Sequence, residues 1–456
     1  MKKIHVIGGG LAGPEAALQA ASLGCSVVLS EMRPIRSTEA HQTSDFAELV
    51  CSNSLKSESE NTAPWLLKQE MRRAGSLLLQ AADASAVPAG HALAVDRIEF
   101  SRRVAELIHA HPNIEVRREE VTHLDETEPN TITVLASGPL TSSSLASELQ
   151  RLTGVAQLAF YDSISPIVDA STIDMEKVYF AARWDKGTAD YINCPFTKEE
   201  YETFLDALTA AETVEAKSWE AIPADGAVTA APIPMNYFEG CLPIEETARR
   251  GRDTLRFGPM KPAGLTNPKT GRWPYAAVQL RQENLRADSY NLVGFQNHLK
   301  FGEQARVLRL IPGLEHATFL RYGQIHRNTY VHAPSLLTET LQLRSHPSIL
   351  IAGQLSGVEG YTESIASGLL AGRYAAALGR NIDPKPAPRI TGNGSLIHYI
   401  THADHKKFQP ANITFDLLVP LEEELRKKIR DKKERHRIQC ERALVAWDAW
   451  LISNTL

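Results

Sequence analysis

The sequence predicts an α/β protein in which one domain is built from two distant stretches of chain and a second, α+β domain is inserted between them. Two glycine-rich segments carry this prediction, at residues 8–13 and 353–372, because each follows a short apolar strand and leads into a helix. A third observation is the change after Gly154, where the sequence becomes richer in aromatic residues and proline. The predicted parts are residues 1–157, 158–328 and 329–456, the last with a helical tail.

The first glycine-rich segment lies inside a βαβ pattern at the N-terminus. Residues 4–7 are predicted to form a buried strand, three glycines follow in GxGxxG spacing, and an alanine-rich helix runs to Gly24. A second strand, residues 26–30, is closed by Glu31. Such glycines let the backbone approach a pyrophosphate, the helix N-terminus offers it free amides, and the acid accepts hydrogen bonds from a ribose. The residues expected to contact a dinucleotide are Gly8, Gly9, Gly10, Leu11, Ala12, Gly13 and Glu31.

The second glycine-rich segment indicates that the dinucleotide is FAD, bound by a two-part Rossmann-type domain. Residues 348–353 are predicted to form an apolar strand that ends in glycine, and a helix of small residues follows at 365–372. Many two-part FAD domains close in this way, with a helix N-terminus directed at the flavin end. The acid often found after that glycine is Gln354 here. The residues expected at the flavin end are Gly353, Gln354, Gly360, Tyr361 and Thr362.

Composition excludes several classes of protein. The chain has 456 residues, 43% of them hydrophobic and 23% charged, and it has no apolar run long enough to span a membrane. Its start shows no cleavable signal pattern, and its 5 cysteines are widely spaced without a CxxC pair. We therefore expect a cytoplasmic protein with free thiols, no disulfide framework and no metal site.

Charge is less decisive about nucleic-acid binding. The net charge of −5 does not favour it for the molecule as a whole, but residues 249–252 and 426–437 form local basic runs. On charge pattern alone, the second run is better interpreted as a solvated helix face. It belongs to a tail, residues 411–456, that is predicted to be helical. The predicted apolar anchors of this tail are Leu421, Leu425, Ile429 and Ile438.

Two of the cysteines stand in polar, turn-rich settings. Cys51 lies in the sequence CSNSLKS shortly after the second strand, and Cys241 lies in FEGCLPIEE ahead of a basic run. By contrast, Cys25 and Cys440 occupy apolar strand and helix positions and are expected to be structural, while Cys194 is left open. A reactive thiolate requires neighbouring cations or helix ends that lower its pKa. The candidates for such a role are therefore Cys51 and Cys241.

Taken together, these segments resemble one enzyme family. The first glycine motif, the two cysteine segments, RFGPMKP at 256–262 and GQLSGVEGY at 353–361 are similar to those of the bacterial folate- and FAD-dependent tRNA (uracil-5-)-methyltransferases, which form ribothymidine in the T-loop. The resemblance extends to about residue 440. It also implies kinship with larger flavoproteins that modify wobble uridine in tRNA.

The resemblance implies a mechanism and a set of partners. Cys241 would add as a thiolate to carbon 6 of uracil, and Cys51 would assist near the flavin by holding a methylene unit or removing the carbon 5 proton. Methylenetetrahydrofolate would supply the one-carbon unit, reduced FAD the hydride, and NADH or NADPH the electrons for the flavin. The tRNA would be the partner, its target uridine extruded from the stack, with no membrane and no stable protein partner implied. Candidate folate contacts are Trp273, Gln296, Asn297 and His298. With tRNA as the substrate, the basic runs 249–252 and 426–437 are the candidate phosphate contacts, and a solvated face and an RNA contact are then equally good interpretations of the second run.

Three other functions remain open from the residues. A flavin-dependent disulfide reductase needs two cysteines adjacent in space, and the spacing of these cysteines gives it no support. A non-catalytic RNA-binding protein stabilised by FAD would hold a flavin that NAD(P)H does not reduce. Modification of wobble uridine is disfavoured because the larger relatives carry a long helical C-terminal domain, whereas only a short tail follows the second glycine-rich helix.

Overall fold

The structure is a computed structural model that describes residues 2–38, 40–124, 130–155, 158–214 and 242–454, without the side chains of 158–162 and 325–327. The strands in these ranges are β1 (Lys3–Ile7), β2 (Val27–Glu31), β3 (Ser54–Ser57), β4 (Ala86–Val87), β5 (Ala92–Val95), β6 (Ile114–Arg118), β7 (Thr131–Leu135), β8 (Leu158–Ser163), β9 (Ile167–Asp169), β10 (Tyr179–Phe180), β11 (Ile192–Phe196), β12 (Ala276–Gln282), β13 (Ser289–Leu292), β14 (Phe319–Arg321), β15 (Ile325–Tyr330) and β16 (Ile349–Ile351). The helices are α1 (Ala12–Ser22), α2 (Ala63–Arg73), α3 (Leu77–Ala84), α4 (Arg97–Ala110), α5 (Ser143–Thr153), α6 (Lys198–Thr209), α7 (Ile244–Arg249), α8 (Thr254–Phe257), α9 (Phe301–Leu308), α10 (Ala333–Leu336), α11 (Tyr361–Gly379), α12 (Gly392–His402), α13 (Glu423–Lys428) and α14 (Lys432–Ser453). None of these helices is long and apolar enough to cross a membrane.

A parallel sheet joins the two distant parts of the chain. Its strand order is β16–β7–β1–β2–β6, so the strand from residues 349–351 lies in the same sheet as the N-terminal βαβ unit. Helices α1 and α11 pack closely together beside it. A Cβ atom added at Gly368 or Gly372 would lie 2.3 or 2.4 Å from the carbonyl oxygen of Ala12 or Ala16, so only glycine permits this approach. The predicted α/β fold, with two distant stretches sharing one sheet, is confirmed.

A second, antiparallel sheet lies in the middle of the chain, with strand order β10–β11–β12–β13–β9–β14. Side chains alternate between its faces. One face is apolar and packs on α6, and its buried residues include Cys194, Val278, Leu280 and Leu292. The other face is polar and carries Asn193, Gln279, Arg281 and Asn291, which pair across neighbouring strands. This polar face reaches the segment around Cys51.

Smaller elements connect the two sheets. Strands β8 and β15 pair as an antiparallel ribbon where the chain enters and leaves the middle region, and β3, β5 and β4 form a small sheet of their own. The strand predicted at 178–182 is shorter, at Tyr179–Phe180. A strand that the sequence pattern suggests at 227–230 lies outside the described residues. The boundaries at 157 and 328 stay predictions.

The C-terminal tail, predicted to be helical over 411–456, is helical only from residue 423, and its predicted anchors are partly wrong. Leu421 is buried, whereas Leu425 is 38% exposed. The prediction treated residues 421–438 as one helix with a regular spacing of apolar residues. The helix is interrupted between α13 and α14, so residues on either side of the interruption do not share one helical face. The tail is held instead by Trp447 and Trp450, which stack at 4.9 Å and are both buried.

Candidate active site

An open pocket with an empty volume of about 810 Å³ lies at the carboxyl ends of β1, β2, β7 and β16. Ligands of open α/β sheets bind at this edge. The residues singled out from the sequence that line it are Gly9, Gly10, Leu11, Ala12, Glu31, Cys51, Gly353, Gln354 and Tyr361. Those that the sequence reasoning missed are Met32, Arg33, His41, Glu48, Val50, Ala136, Ser137, Gly138, Pro139, Leu140, Asn328 and Ser364.

Four of the predicted residues lie outside the pocket lining and fix the backbone next to it. Gly8 has a φ of +113°, and a Cβ atom at Gly13 would lie 1.8 Å from the carbonyl oxygen of Gly8. Gly360, with a φ of +110°, directs the chain into α11. Thr362 is buried and donates its hydroxyl hydrogen bond to the carbonyl of Leu55 over 3.0 Å. These positions fix the backbone and do not line the cavity.

The pocket has the features that a pyrophosphate requires. The residues that cap the N-termini of α1 and α11 supply no side-chain hydrogen bond, so the first amides of both helices need other acceptors. Leu11, Ala12 and Tyr361, at these two helix starts, line the cavity. A Cβ atom at Gly10 would meet nothing within 4 Å, so the loop presents open space there. Two helix N-termini and an unfilled glycine loop fit the diphosphate of FAD.

Glu31 is held as a charged acceptor at the pocket edge. One carboxylate oxygen accepts the Gly9 amide at 2.5 Å, and the other accepts the amide and Nε of Arg33 at 2.9 and 2.8 Å. Burial would raise the pKa of Glu31, but the Arg33 guanidinium and these hydrogen bonds outweigh it and hold the pKa below its ordinary value. Glu31 is thus ionised at neutral pH, as an acceptor for ribose hydroxyls should be. The only sequence signal for Arg33 was its place two residues after the acid.

Cys51 faces the pocket from a clamped loop. The amides of Cys51 and Ser52 both donate to the hydroxyl oxygen of Tyr361, at 2.8 and 3.2 Å. Burial strongly raises the pKa of Tyr361, so its hydroxyl stays protonated at neutral pH. This contact joins the loop after β2 to the start of α11, two segments separated by some three hundred residues of sequence.

Two guanidinium groups surround the Cys51 loop. Arg97 donates to the carbonyl oxygens of Leu49 and Val50, at 2.5 and 3.3 Å. Arg321 donates to the carbonyl of Ala40 at 3.1 Å, and Ala40 belongs to the apolar cluster on which Cys51 packs. Positive charge near a cysteine favours its thiolate form. Sequence reasoning missed both arginines, which come from α4 and β14.

The middle sheet supplies a third arginine to this loop. Arg281, only 8% exposed, donates to Asn53 Oδ1 at 2.9 Å and to Ser52 Oγ at 2.7 Å. Asn53 in turn donates through Nδ2 to the carbonyls of Val95 and Gln282. The polar face of the middle sheet therefore fixes the two residues that follow Cys51.

Of the other four cysteines, three are buried and one lies outside the described residues. Cys25 and Cys440 are buried, which confirms their structural role, and burial raises the pKa of Cys440 to about 12. Cys194 is also buried in the core of the middle region, and burial strongly raises its pKa. Cys241 lies outside the described residues, so its role stays a prediction.

The geometry gives little support to the suggested folate contacts or to the two basic runs as nucleic-acid contacts. Trp273 packs against Trp184, and none of the four candidate folate residues lines the pocket. In the first basic run, Arg249 pairs with Glu246, and Arg252 pairs with Glu202 and Asp206. In the second, the ion pairs are Lys427 with Glu423 and Arg437 with Glu434 and Glu441. Nearby acids thus partly neutralise both runs.

One group of side chains outside the pocket has the chemistry of metal ligands. Glu339, His398 and His402 place one ligand atom each within 4.8 Å of one another, and His398 Nδ1 lies 3.1 Å from Glu339 Oε1. The sequence pattern did not single them out. They do not line the pocket.

Comparison with known proteins places the chain in a family. The model described as Glucose inhibited division protein A (GIDA) matches residues 3–383. A protein of Koribacter versatilis (strain Ellin345), named Methylenetetrahydrofolate--tRNA-(uracil-5-)-methyltransferase TrmFO, is 64% identical over 454 residues, covering 100% of this chain and 99% of that protein. The chain belongs to the TrmFO family. Relatives with the same name from Solibacter usitatus (strain Ellin6076) and Enterococcus faecalis (strain ATCC 700802 / V583) are 60% and 51% identical, over 98% and 97% of both chains.

Solved structures support the fold of this member of the TrmFO family. The Aquifex aeolicus GidA structures in crystal forms II and I superpose with TM-scores of 0.68 and 0.69, each at 16% sequence identity. The superpositions cover all of this chain and 74% and 76% of those chains. At this identity the likeness concerns the fold alone.

Proposed function

We propose that this chain forms 5-methyluridine in the T-loop of tRNA, with methylenetetrahydrofolate as one-carbon donor and FAD bound in the pocket. The observation that carries the proposal is the position of Cys51, which lines the dinucleotide pocket between the two glycine-rich segments. Its full-length relatives carry the name of a folate-dependent tRNA (uracil-5-)-methyltransferase. The name of these relatives is the evidence for folate and tRNA as substrates. The glycine loop and the two helix N-termini are the evidence for the FAD site.

The two cysteines would divide the work on uracil. When bound, methylenetetrahydrofolate supplies a methylene unit and reduced FAD a hydride, after NADH or NADPH has delivered two electrons. The Cys241 thiolate adds to carbon 6 of the target uracil and makes carbon 5 nucleophilic. Once carbon 5 has bonded to the methylene carbon, Cys51 would accept the carbon 5 proton, and the bond from the methylene carbon to its carrier would break. A hydride added to the methylene carbon would then complete the methyl group as the bond between Cys241 sulfur and carbon 6 breaks. Cys51 must be a thiolate to accept that proton, and the guanidinium of Arg97 lies beside its loop, on the carbonyl oxygens of Leu49 and Val50.

A series of contacts leads from Cys51 towards the segment that follows Cys241. Cys51 packs on the apolar cluster that contains Ile164. The carbonyl oxygen of Ile164 lies beside Gly323, at 3.0 Å from the position of an added Cβ atom. The side-chain amide of Asn297 lies against the same glycine, at 2.6 Å from that position.

The other side of Asn297 leads to α7. The next residue, His298, donates its amide to Glu245 over 2.8 Å, and Ile244 donates its amide to the carbonyl of Gln296 over 2.9 Å. Cys241 precedes Ile244 by three residues, which a fully extended chain spans in at most about 11 Å. This connectivity supports a site to which both cysteines contribute.

The substrate sets two further expectations. A uridine that is stacked in folded tRNA must be extruded before a thiolate and a flavin can reach it. Because the proposed substrate is tRNA and the proposed reductant is NADH or NADPH, we place the reaction in the cytoplasm.

The direct test is product analysis. The full-length protein is incubated with FAD, NADH or NADPH, methylenetetrahydrofolate and an unmodified tRNA transcript, and the digested RNA is analysed by mass spectrometry. We expect ribothymidine that depends on the folate and is lost in Cys241→Ala and Cys51→Ala. Oxidation of NAD(P)H without modified RNA would instead favour a reductase, and a product at the wobble position would redirect the assignment to that reaction.

The assignment of the two thiols has its own test. A tRNA containing 5-fluorouracil should form a covalent adduct with the unsubstituted protein and with Cys51→Ala, but not with Cys241→Ala. An adduct that persists in Cys241→Ala would reverse the two roles.

Alkylation of the native protein with iodoacetamide should modify Cys51, while Cys25, Cys194 and Cys440 serve as internal controls because all three are buried.

A further inference from the structure

Two tryptophans form an exposed aromatic pair on the middle region of the chain. Trp184 and Trp273 are 54% and 49% exposed, and their rings meet edge to face at 5.0 Å and 85°. Trp447 and Trp450, in contrast, are buried in the C-terminal tail. Large exposed apolar surfaces commonly mark binding sites.

The Trp184 ring is fixed although half of it remains open to solvent. Its residue has a φ of 62°, in the left-handed region that non-glycine residues seldom adopt. Its amide donates to the carbonyl of Gly264 over 2.7 Å. The ring lies directly against Gly264, where an added Cβ atom would come within 2.7 Å of it. Backbone strain that is retained at an exposed ring is typical of functional positions.

Basic residues outnumber acidic ones in the two segments that carry the pair. The segments that contain the two rings, residues 183–190 and 261–273, hold five basic side chains and two acidic ones, while the whole chain carries a net charge of −5. The basic residues are Arg183, Lys186, Lys261, Lys269 and Arg272, and the acids are Asp185 and Asp190. Asp190 is occupied by hydrogen bonds from the amide of Gly90 and the hydroxyl of Thr188. Exposed aromatic rings among cations are the recurring design for binding unpaired nucleotides.

The pair is linked to the Cys51 loop through one face of β12. Arg183 donates to the carbonyl of Lys261 at 3.1 Å, which ties the two segments together, and to Gln279 Oε1 at 3.0 Å. Gln279 precedes Arg281 by two residues, so both side chains point to the same face and lie about 7 Å apart along the strand. Arg281 donates to Ser52 Oγ, beside Cys51. The segment that carries Trp184 is therefore connected to the Cys51 loop through one face of β12.

We propose that Trp184 and Trp273 form a stacking platform for unpaired nucleobases of the tRNA that flank the target uridine. Extruding a base deprives its neighbours of a stacking partner, and an aromatic face replaces it. The surrounding lysines and arginines contact the phosphates of the same nucleotides. This inference rests on the proposed function and names a surface for its RNA substrate that lies apart from both basic runs singled out from the sequence.

The test compares the FAD-loaded full-length protein with Trp184→Ala, Trp273→Ala and the double variant. Affinity for the unmodified tRNA transcript is measured at several salt concentrations, together with the KM for tRNA and the rate of flavin reduction by NAD(P)H. We expect the double variant to bind tRNA about 5- to 100-fold more weakly and to show a higher KM, as loss of base stacking does. Flavin reduction should remain unchanged.

Salt dependence separates stacking from charge. Stacking releases no counterions, so the slope of log affinity against log salt should not change in the tryptophan variants. The slope should become shallower in a Lys261→Ala, Arg272→Ala double variant, by about 0.7 to 0.9 for each phosphate that the variant no longer neutralises.

Control variants make the outcome decisive. Trp184→Phe and Trp273→Phe keep an aromatic face and should retain most of the affinity, and Val445→Ala removes an apolar side chain that is 70% exposed on α14 and should change nothing. Wild-type affinity and KM in the double alanine variant, in a preparation whose unsubstituted protein makes ribothymidine, would overturn the platform. Absence of ribothymidine with the unsubstituted protein would overturn the proposed function, and the RNA occupant of the platform with it.

Discussion

At the scale of single residues, two glycines of one motif do different physical work. Gly10 faces open space in the pocket, whereas Gly13 is pressed against the carbonyl of Gly8. The spacing in the sequence treats them alike, as positions of a GxGxxG loop. Only their surroundings show that one makes room for a ligand and the other makes room for the backbone.

This difference can be measured with a matched pair of variants. Gly10→Ala should fold normally, because its Cβ atom meets nothing within 4 Å. It should nevertheless bind FAD at least about tenfold more weakly, a loss of about 1.4 kcal/mol, since the methyl group occupies the path of the pyrophosphate. Flavin fluorescence gives the affinity and thermal unfolding gives the stability without FAD.

Gly13→Ala is the control for backbone packing. Its Cβ atom would lie 1.8 Å from the carbonyl oxygen of Gly8, so this variant should unfold at a clearly lower temperature even without FAD. Unchanged FAD affinity in a well-folded Gly10→Ala protein would show that the pyrophosphate does not approach this loop.

At the scale of secondary-structure elements, helix ends are joined to other elements by buried acidic side chains. The start of α4 is tied to the middle sheet by Arg97, which binds Glu283 through Nε and Nη2 at 2.6 and 3.2 Å. The start of α12 is tied to α2 by Glu70, which accepts the amides of Gly392 and Asn393 at 2.6 and 2.8 Å. Each buried carboxyl group has partners on another element, and burial raises the pKa of Glu70 to about 7.

The ion pair at α4 predicts a pH dependence. Burial would raise the pKa of Glu283, but Arg97 outweighs it and holds the pKa below its ordinary value. A carboxyl group whose pKa is lowered by folding stabilises the protein above its unfolded pKa, and this contribution is lost as the pH falls through the folded pKa. The stability advantage over Glu283→Gln should therefore be constant near neutral pH and shrink below about pH 4.5.

Thermal unfolding between pH 7 and pH 3.5 measures this advantage. Glu106→Gln is the matched control, because Glu106 pairs with Arg102 on the exposed surface, where such a pair contributes about 0 to 1 kcal/mol. A difference between Glu283→Gln and the unsubstituted protein that stays constant down to pH 3.5 would rule out the coupling between Glu283 and Arg97.

The contact at α12 predicts a large loss of stability. Glu70→Ala would leave the amides of Gly392 and Asn393, and Asn393 Nδ2, without their acceptor in a buried site. We expect the free energy of unfolding to fall by about 2 to 4 kcal/mol, as measured by urea denaturation. Glu70→Gln keeps one carbonyl acceptor and should lose less, and equal losses in the two variants would contradict this account.

At the scale of the whole molecule, the proposed site belongs to neither sheet alone. The parallel sheet forms the pocket. Tyr361, at the start of α11, accepts a hydrogen bond from the amide of Cys51, and Arg281 of the middle sheet binds the next residue of the same loop, Ser52. The Cys51 loop is therefore one place where the two sheets are joined. Arg281 is a positioning residue in this arrangement, since it acts on Cys51 through Ser52 and Asn53.

Replacing Arg281 should separate flavin chemistry from methyl transfer. In Arg281→Met we expect FAD binding and NAD(P)H-driven flavin reduction to stay within about twofold, while kcat for ribothymidine formation falls at least about tenfold. The KM for tRNA should change little. Arg309→Met is the control, because Arg309 binds only the carbonyl of Ala317 among the contacts seen for it and does not touch the Cys51 loop. Equal loss of flavin reduction and methyl transfer in Arg281→Met would mean that the fold, and not the loop, was damaged.

The sequence by itself determined the features that depend on local pattern. The βαβ unit, the glycine-ended strand at 348–353 and the role of Cys25 and Cys440 follow from periodicity and spacing, and the structure has them where they were expected. The candidate Cys51 was also found in this way, because a thiol in a polar turn after the second strand stands out without any knowledge of its neighbours.

Only the tertiary structure decided what surrounds that thiol. Arg97, Arg281 and Arg321 are ordinary charged residues in the sequence, and they gather at one loop only because strands and helices from different parts of the chain end there. The same holds for Trp184 and Trp273, which become a pair through the packing of a strained turn against Gly264. Local pattern is fixed by neighbours a few residues away, whereas the charge and shape of a site are fixed by contacts between residues that are hundreds of positions apart.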